Sequence, residues 1–193
     1  MTRIRVKQAG HADGLSAVRS TFQSIHALRP KIAATVEAAQ RALYLDGTLP
    51  ERLRELVRLR IGFHNQCRTC MAVRYAPDSV TESLVCTLEK PQEAPDLTDA
   101  ERAALAFADL FATDHLAIGD AMYERLRAHF DEGELVELGF LCAIFVGTGR
   151  LAATWNVVES LPRSFQEAAG VVTPWGHDAV LSFHREGDHE RDC

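Results

Sequence analysis

The sequence has no surplus of positive charge: 21 Lys and Arg stand against 27 Asp and Glu, a formal charge of −6 over 193 residues. A protein that grips phosphate backbones needs a cationic excess to displace counterions, so nucleic acid is not an expected partner. Long apolar runs are also missing. The longest, Leu138 to Gly149, falls short of the about 20 residues that span a bilayer. The basic start Met1–Lys7 leads into Gln8, Gly10, His11 and Asp13 rather than the apolar stretch of a signal peptide. No membrane association and a cytoplasmic location are expected. Sustained apolar–polar alternation is absent as well, which removes the sequence signal of a β-sheet.

Helical periodicity is what remains, with apolar residues recurring at three and four, as in Leu53, Leu56, Val57 and Ile61. The expected fold class is all-α, a multi-helix bundle with helices over 13–28, 30–45, 50–63, 67–76, 79–89, 98–113, 119–130 and 133–158. Pro30 and Pro50 suit first helical turns, where a missing N–H is no loss. Thr98 with Glu101, and Asp131 with Glu134, read as capping boxes. Lys90-Pro-Gln-Glu-Ala-Pro-Asp96 interrupts the periodicity and connects two helical halves. Residues 1–170 read as one domain, and 171–193 as a C-terminal arm with a disordered tail from Gly187. In that arm Trp175 is expected to pack on the domain or on a neighbouring subunit.

Cysteine is sparse, five residues in all, and in a reducing compartment these are thiols, ligands or catalytic groups rather than a disulfide framework. Cys86, Cys142 and Cys193 are isolated, the first two within apolar helical patterns where cysteine acts as a small core residue. Cys67-Arg68-Thr69-Cys70 is the only motif. Two thiols one turn apart suit redox chemistry, since one is oxidised and the other resolves it. The alternative is half of a zinc site, but no second CxxC and no HxxxH completes it, and His177, His184 and His189 are scattered. No metal and no other cofactor is expected. Asn65 reads as an N-cap that sets Cys67 in the first turn of the next helix, where the dipole stabilises a thiolate. Arg74, four residues after Cys70, shares its helical face and lowers its pKa, or else is a surface arginine paired with Asp78 or another carboxylate. His64 is a third ligand, a proton carrier, or a polar residue at a helix end.

Residues 49–74, Leu49-Pro-Glu-Arg-Leu-Arg-Glu55-Leu-Val-Arg-Leu-Arg-Ile-Gly-Phe-His-Asn-Gln-Cys67-Arg-Thr-Cys70-Met-Ala-Val-Arg74, resemble the carboxymuconolactone decarboxylase superfamily and specifically its alkylhydroperoxidase AhpD-like branch. Residues 97–109, 130–138 and Gly149-Arg150 resemble its later helices, and the similarity covers about residues 30–158. The resemblance implies an all-helical homo-oligomer that reduces hydroperoxides, with Cys70 as peroxidatic thiol, Cys67 as resolving thiol and Glu55 as proton-relay carboxylate. An external dithiol or redox protein would restore the pair. Two departures stand out: the family's histidine between the cysteines is Thr69 here, and the one four residues after the second cysteine is Arg74. His64 and His115 are the replacement candidates. Helix electrostatics alone favours Cys67 as the leading thiol, whereas the resemblance favours Cys70. Beside the peroxidase stand a redox-sensing or assembly module without catalysis and, more remotely, a lactone decarboxylase. The apolar face of Phe140, Leu141, Ile144, Phe145 and Val146 points to burial on more than one side, in a central helix or between subunits.

Overall fold

The computed structural model describes residues 2–6, 14–167, 169–177 and 179–183. His184, His189, Cys193 and the tail from Gly187 lie outside them. The fold is all-α. Its helices are α1 (Gly14–His26), α2 (Pro30–Leu45), α3 (Glu51–His64), α4 (Arg68–Ala72), α5 (Glu82–Thr87), α6 (Asp99–Thr113), α7 (Asp120–Arg127), α8 (Glu132–Trp155) and α9 (Arg163–Gln166), with a 3-10 turn at His115–Ala117. Two short strands, β1 (Val73–Arg74) and β2 (Leu181–Ser182), pair in parallel with Val73 beside Leu181. Strands of two residues have no alternation to read, so they escaped the sequence analysis.

Helix α3 is the axis of the molecule, packed against both α6 and α8. Leu53, Leu56, Val57, Leu59 and Ile61 are at most 2% exposed, and Arg54, Glu55 and Arg58 on the remaining side are buried too, so the helix is enclosed well beyond one apolar stripe. The central core draws on α2, α3, α5, α6, α7 and α8, and it takes in Ala94 and Leu97 at the end of the proline-rich connector. The connector therefore joins parts of one core. A second cluster of Val18, Met71, Ala72, Val158, Leu161, Phe165 and Val172 collects α1, α4, α9 and the C-terminal arm. Between these two clusters sits α4.

Both expected capping boxes are present: Thr98 Oγ1 accepts from Glu101 N while Glu101 accepts from Thr98 N, and Asp131 and Glu134 do the same. The start of α3 is held from outside, because Thr48 N and Leu49 N donate to the Glu137 carboxylate of α8. Helix α8 ends where Asn156 turns left-handed (φ 55°). By length and composition α8 passes as a membrane span, although the longest uninterrupted apolar run does not; here it packs against α2, α3, α4, α6 and α7.

The clearest departure from expectation is the helix foreseen over 67–76, which stops at Ala72. Arg58 Nη2 of α3 donates to Val73 O (2.6 Å) and Glu55 Oε1 accepts from Tyr75 N (2.8 Å). Backbone groups that would continue the helix are thus taken by side chains of α3, and the chain turns out into β1. Trp175 packs on the domain, its ring 5.2 Å from that of Phe63.

Helix α8 offers a direct test of this packing. Leu138→Ala, at a fully buried site, is expected to cost about 2–5 kcal/mol in urea unfolding. Leu151→Ala, at a position 47% exposed on the same helix and outside the α2–α8 groove, is expected to stay within roughly 0.5 kcal/mol of wild type.

Candidate functional site

The dithiol sits where α3 gives way to α4. Asn65 closes α3 as its C-cap, its N–H donating to Ile61 O, so it is not the N-cap of the next helix. Gln66 adopts a left-handed conformation (φ 49°) that turns the chain sharply, and its side-chain amide is fixed by Val172 of the arm, which both donates to it (2.8 Å) and accepts from it (3.1 Å). Cys67 itself caps α4, with Cys70 N donating to Cys67 Sγ at 3.2 Å. The two cysteines are joined as a disulfide, their Cα atoms 5.1 Å apart. Cys67 is fully buried and Cys70 half-buried, so Cys70 is the residue of the pair that solvent reaches.

Two glycines let helices close on Cys70. A Cβ on Gly62 of α3 would stand 3.3 Å from Cys70 Cβ; one on Gly149 of α8 would overlap Asn65 Nδ2 and lie 3.7 Å from Cys70 Sγ. A Cβ on Gly147 would meet open space. A narrow cleft of about 30 Å3 opens beside the motif, lined in part by Gln66, Arg68 and Thr69.

Beneath the pair lies a buried ion pair that sequence reasoning half found. Glu55 is 1% exposed, and both its oxygens accept from Arg58 at 2.7 Å. Arg58, which the sequence reading missed, is 2% exposed and donates onward to Cys70 O (2.7 Å) and Val73 O. Burial would lower the Arg58 pKa, but the adjoining Glu55 carboxylate outweighs it and holds the guanidinium firmly protonated. The spacing from Glu55 to Arg58 was visible as an i,i+3 pair. Its partner across the fold was not.

Arg74 is 1% exposed and lies past the end of α4, so it does not share a helical face with Cys70. Its guanidinium binds Glu82 (2.6 and 2.9 Å) rather than Asp78, and donates to Met71 O and to Pro174 O of the arm. Thr69 Oγ1 donates to Val157 O at 2.6 Å. Both positions where the resembling family has histidine thus hold structural ties. His64 Nε2 lies 2.7 Å from Asp109 Oδ1 of α6, and Arg60 binds the same carboxylate. Burial pushes the Asp109 pKa up, but the hydrogen bonds from His64 and Arg60 outweigh it and hold the carboxyl below its usual range. His115 is exposed in the turn after α6.

Among the other cysteines, Cys142 is a core residue whose thiol is pushed up by burial. Cys86 is exposed, contrary to the core position expected of it, because it falls on the outer side of the short α5. His177 lies against Phe165 and Thr173 O, apart from any ligand set. Among the described residues no group of three His, Cys, Asp or Glu is placed to hold a metal ion.

Residues 30–110 match the profile of the carboxymuconolactone decarboxylase family. The uncharacterized protein YnjA of Escherichia coli (strain K12) is 28% identical over 113 residues, which are 57% of this chain and 60% of YnjA, so the chain spans less than two thirds of that relative. The fold is shared with the Agrobacterium tumefaciens protein ATU0492, of unknown function and a candidate antioxidant defence protein AhpD (TM-score 0.64, 23% identity, 72% of this chain and 97% of that one). It is shared too with an uncharacterized peroxidase-related protein from Silicibacter sp. TM1040 (TM-score 0.62, 17% identity, 86% and 94%).

Removing Arg58 would leave Glu55 buried and unpaired beneath the motif. Arg58→Ala is therefore expected to cost about 3–5 kcal/mol in chemical denaturation. A cost near zero would mean that water reaches the carboxylate.

Proposed function

We propose that this chain, a member of the carboxymuconolactone decarboxylase superfamily with an AhpD-like fold, is a dithiol-dependent hydroperoxide reductase of the cytoplasm. The observation that carries this reading is the pairing of Cys67 and Cys70 within one disulfide, one cysteine buried and the other half-buried. An attacking thiol must meet its substrate, whereas a resolving thiol need only meet its partner. That division favours Cys70 as the attacking group over Cys67.

In the reaction, the Cys70 thiolate attacks the terminal oxygen of ROOH; the S–O bond forms as the O–O bond breaks. The leaving RO⁻ takes a proton from solvent water, and Cys70 becomes a sulfenic acid. The Cys67 thiolate then attacks the Cys70 sulfur, the S–S bond forms, and the hydroxyl departs as water once protonated. An external dithiol, small or carried by a redox protein, restores both thiols by exchange and leaves oxidised itself. Glu55, whose oxygens are engaged by Arg58 and Tyr75 N, serves in this scheme by holding Arg58 on the Cys70 carbonyl rather than by relaying protons. Arg74 and His64 are assigned positioning roles on either flank.

One observation favours a second reading, a redox-sensing module. Residues just before and just after the motif are tied to the C-terminal arm, Gln66 to Val172 and Arg74 to Pro174 and Phe183. A change of oxidation state at the pair would act on that arm without any turnover.

Homo-oligomerisation belongs to the same proposal. Phe140 and Val136 of α8 and Ile32 and Leu45 of α2 are 59–71% exposed, and a groove of about 390 Å3 opens between these helices. A second copy of this chain is the proposed cover.

Peroxide added to the reduced protein is expected to consume free thiols and to yield a Cys67–Cys70 disulfide by mass spectrometry. Cys70→Ser should abolish peroxide consumption, while Cys67→Ser should leave one sulfenic acid per chain. Equal activity in both variants would sink the assigned roles, and thiols inert to peroxide with an arm that shifts on chemical oxidation would favour the sensor. Phe140→Glu is expected to lower the mass seen by analytical ultracentrifugation; an unchanged mass would place the subunit contact elsewhere or show that none exists.

A further inference from the structure

Gln66 stands in a left-handed turn (φ 49°), a conformation that glycine and asparagine take readily and other residues seldom do. A residue held there against its preference is kept by its surroundings. Here Nε2 of Gln66 donates to Phe63 O near the end of α3 (2.7 Å) and to Val172 O (3.1 Å), while Oε1 accepts from Val172 N (2.8 Å). Glycine or asparagine would suit the backbone better, but glutamine has the length to reach the arm. Two residues of the motif reach the same way: Arg68 Nη1 donates to Gln166 O of α9 (3.1 Å), and Thr69 Oγ1 to Val157 O (2.6 Å). Each side chain from 66 to 69 except that of Cys67 is thus tied to the chain beyond α8, and Cys67, held between them, is 0% exposed. Val158, Leu161, Phe165 and Val172 pack with Met71 and Ala72 of α4 on the same side. The cleft between the loop and this cover, about 30 Å3, has room for about one or two waters and not for a thiol reagent.

We infer that the chain beyond α8 is a latch on the CxxC loop, closed by Gln66, that covers Cys67 and confines exchange with external thiols to Cys70. The inference rests on the hydroperoxide reductase reading and deepens it by assigning the sulfur on which the reductant acts and the residue that positions the other. Helices α3 and α8 close on the pair from one side and the latch closes from the other. The thiolate of an external dithiol attacks Cys70 Sγ: an S–S bond forms to Cys70, the Cys67–Cys70 bond breaks, and Cys67 leaves with the electron pair, its Sγ already accepting from Cys70 N. The dithiol's second thiolate then attacks its own first sulfur and releases Cys70. Two electrons have passed; the dithiol ends as a disulfide, and the protons it gave up restore Cys67 and Cys70 as thiols. No step needs a reagent at Cys67. Held in place, Cys67 stays beside Cys70 at high effective concentration, so the pair closes again once Cys70 is oxidised.

The test needs no peroxide. Alkylation by iodoacetamide is followed peptide by peptide with mass spectrometry, at Cys67 in the Cys70→Ser protein and at Cys70 in the Cys67→Ser protein. Gln66→Gly accepts the left-handed turn and removes the clamp. It is expected to speed alkylation of Cys67 about tenfold or more, as for the loss of the hydrogen bonds that hold a cover closed, and to leave Cys70 within roughly twofold. In the protein with both cysteines, the same substitution is expected to shift the equilibrium with glutathione about tenfold toward the dithiol, because a freed Cys67 is less concentrated at Cys70. An unchanged Cys67 rate or an unmoved equilibrium would overturn the inference. So would an equal gain at both thiols, which would mark Gln66 as a support of the whole motif. If Gln66→Gly does not fold, Gln66→Asn, at home in the same turn but one methylene short of Val172, is read in the same way. Should dithiothreitol fail to reduce the Cys67–Cys70 bond in the folded wild-type protein, the reductase reading itself falls and carries the inference with it.

Discussion

The buried contact between Glu55 and Arg58 is the constraint on which the architecture around the dithiol depends. Two charges taken from water gain little net stability over well-packed apolar residues. What the pair supplies is geometry. Glu55 neutralises Arg58 and orients it, and Arg58 spends its remaining donors on the carbonyls of Cys70 and Val73. Glu55 also accepts from Tyr75 N, so one ion pair of α3 binds the chain at residues 70, 73 and 75. Helix α4 is short for this reason, and β1 follows it.

A second arginine, Arg74, extends the same logic outward. It is as buried as Arg58, and it joins α5 through Glu82, the end of α4 through Met71 O, and the arm through Pro174 O. The arm then adds β2 against β1 and stacks Phe183 on Tyr75 at 4.8 Å. Gln66 binds the arm on the other side of the motif. Arginine suits both sites because its planar fork satisfies a carboxylate and backbone carbonyls together. Thr69 and Arg74, at positions where the resembling family carries imidazoles, have become part of this frame, so a proton relay through those positions has no place in the mechanism proposed here.

The motif is thus enclosed by backbone as much as by side chains. Gly62 and Gly149 bring α3 and α8 against Cys70, and this closeness leaves Cys67 buried, Cys70 half-buried and Asn65 Oδ1 without a partner.

Much of this was legible before any coordinates. Periodicity at three and four located the long helices α2, α3, α6 and α8, because an apolar helix face must be buried and leaves its spacing in the chain. The capping boxes at Thr98 and Asp131 are local hydrogen-bond patterns and were readable for the same reason. The CxxC motif and its distance from Glu55 marked the candidate site. Tertiary structure decided the rest. Arg74 looked like a neighbour of Cys70 only while α4 was assumed to run on, and its early end is imposed by Arg58 from another helix. That Cys67 is buried, that Cys86 is exposed, and that Asn65 lacks a partner beside Gly149 all depend on segments far away along the chain. A sequence records the contacts each residue makes within a turn or two of itself; which distant group takes a carbonyl, or leaves an amide oxygen unpaired, is settled only when the helices pack.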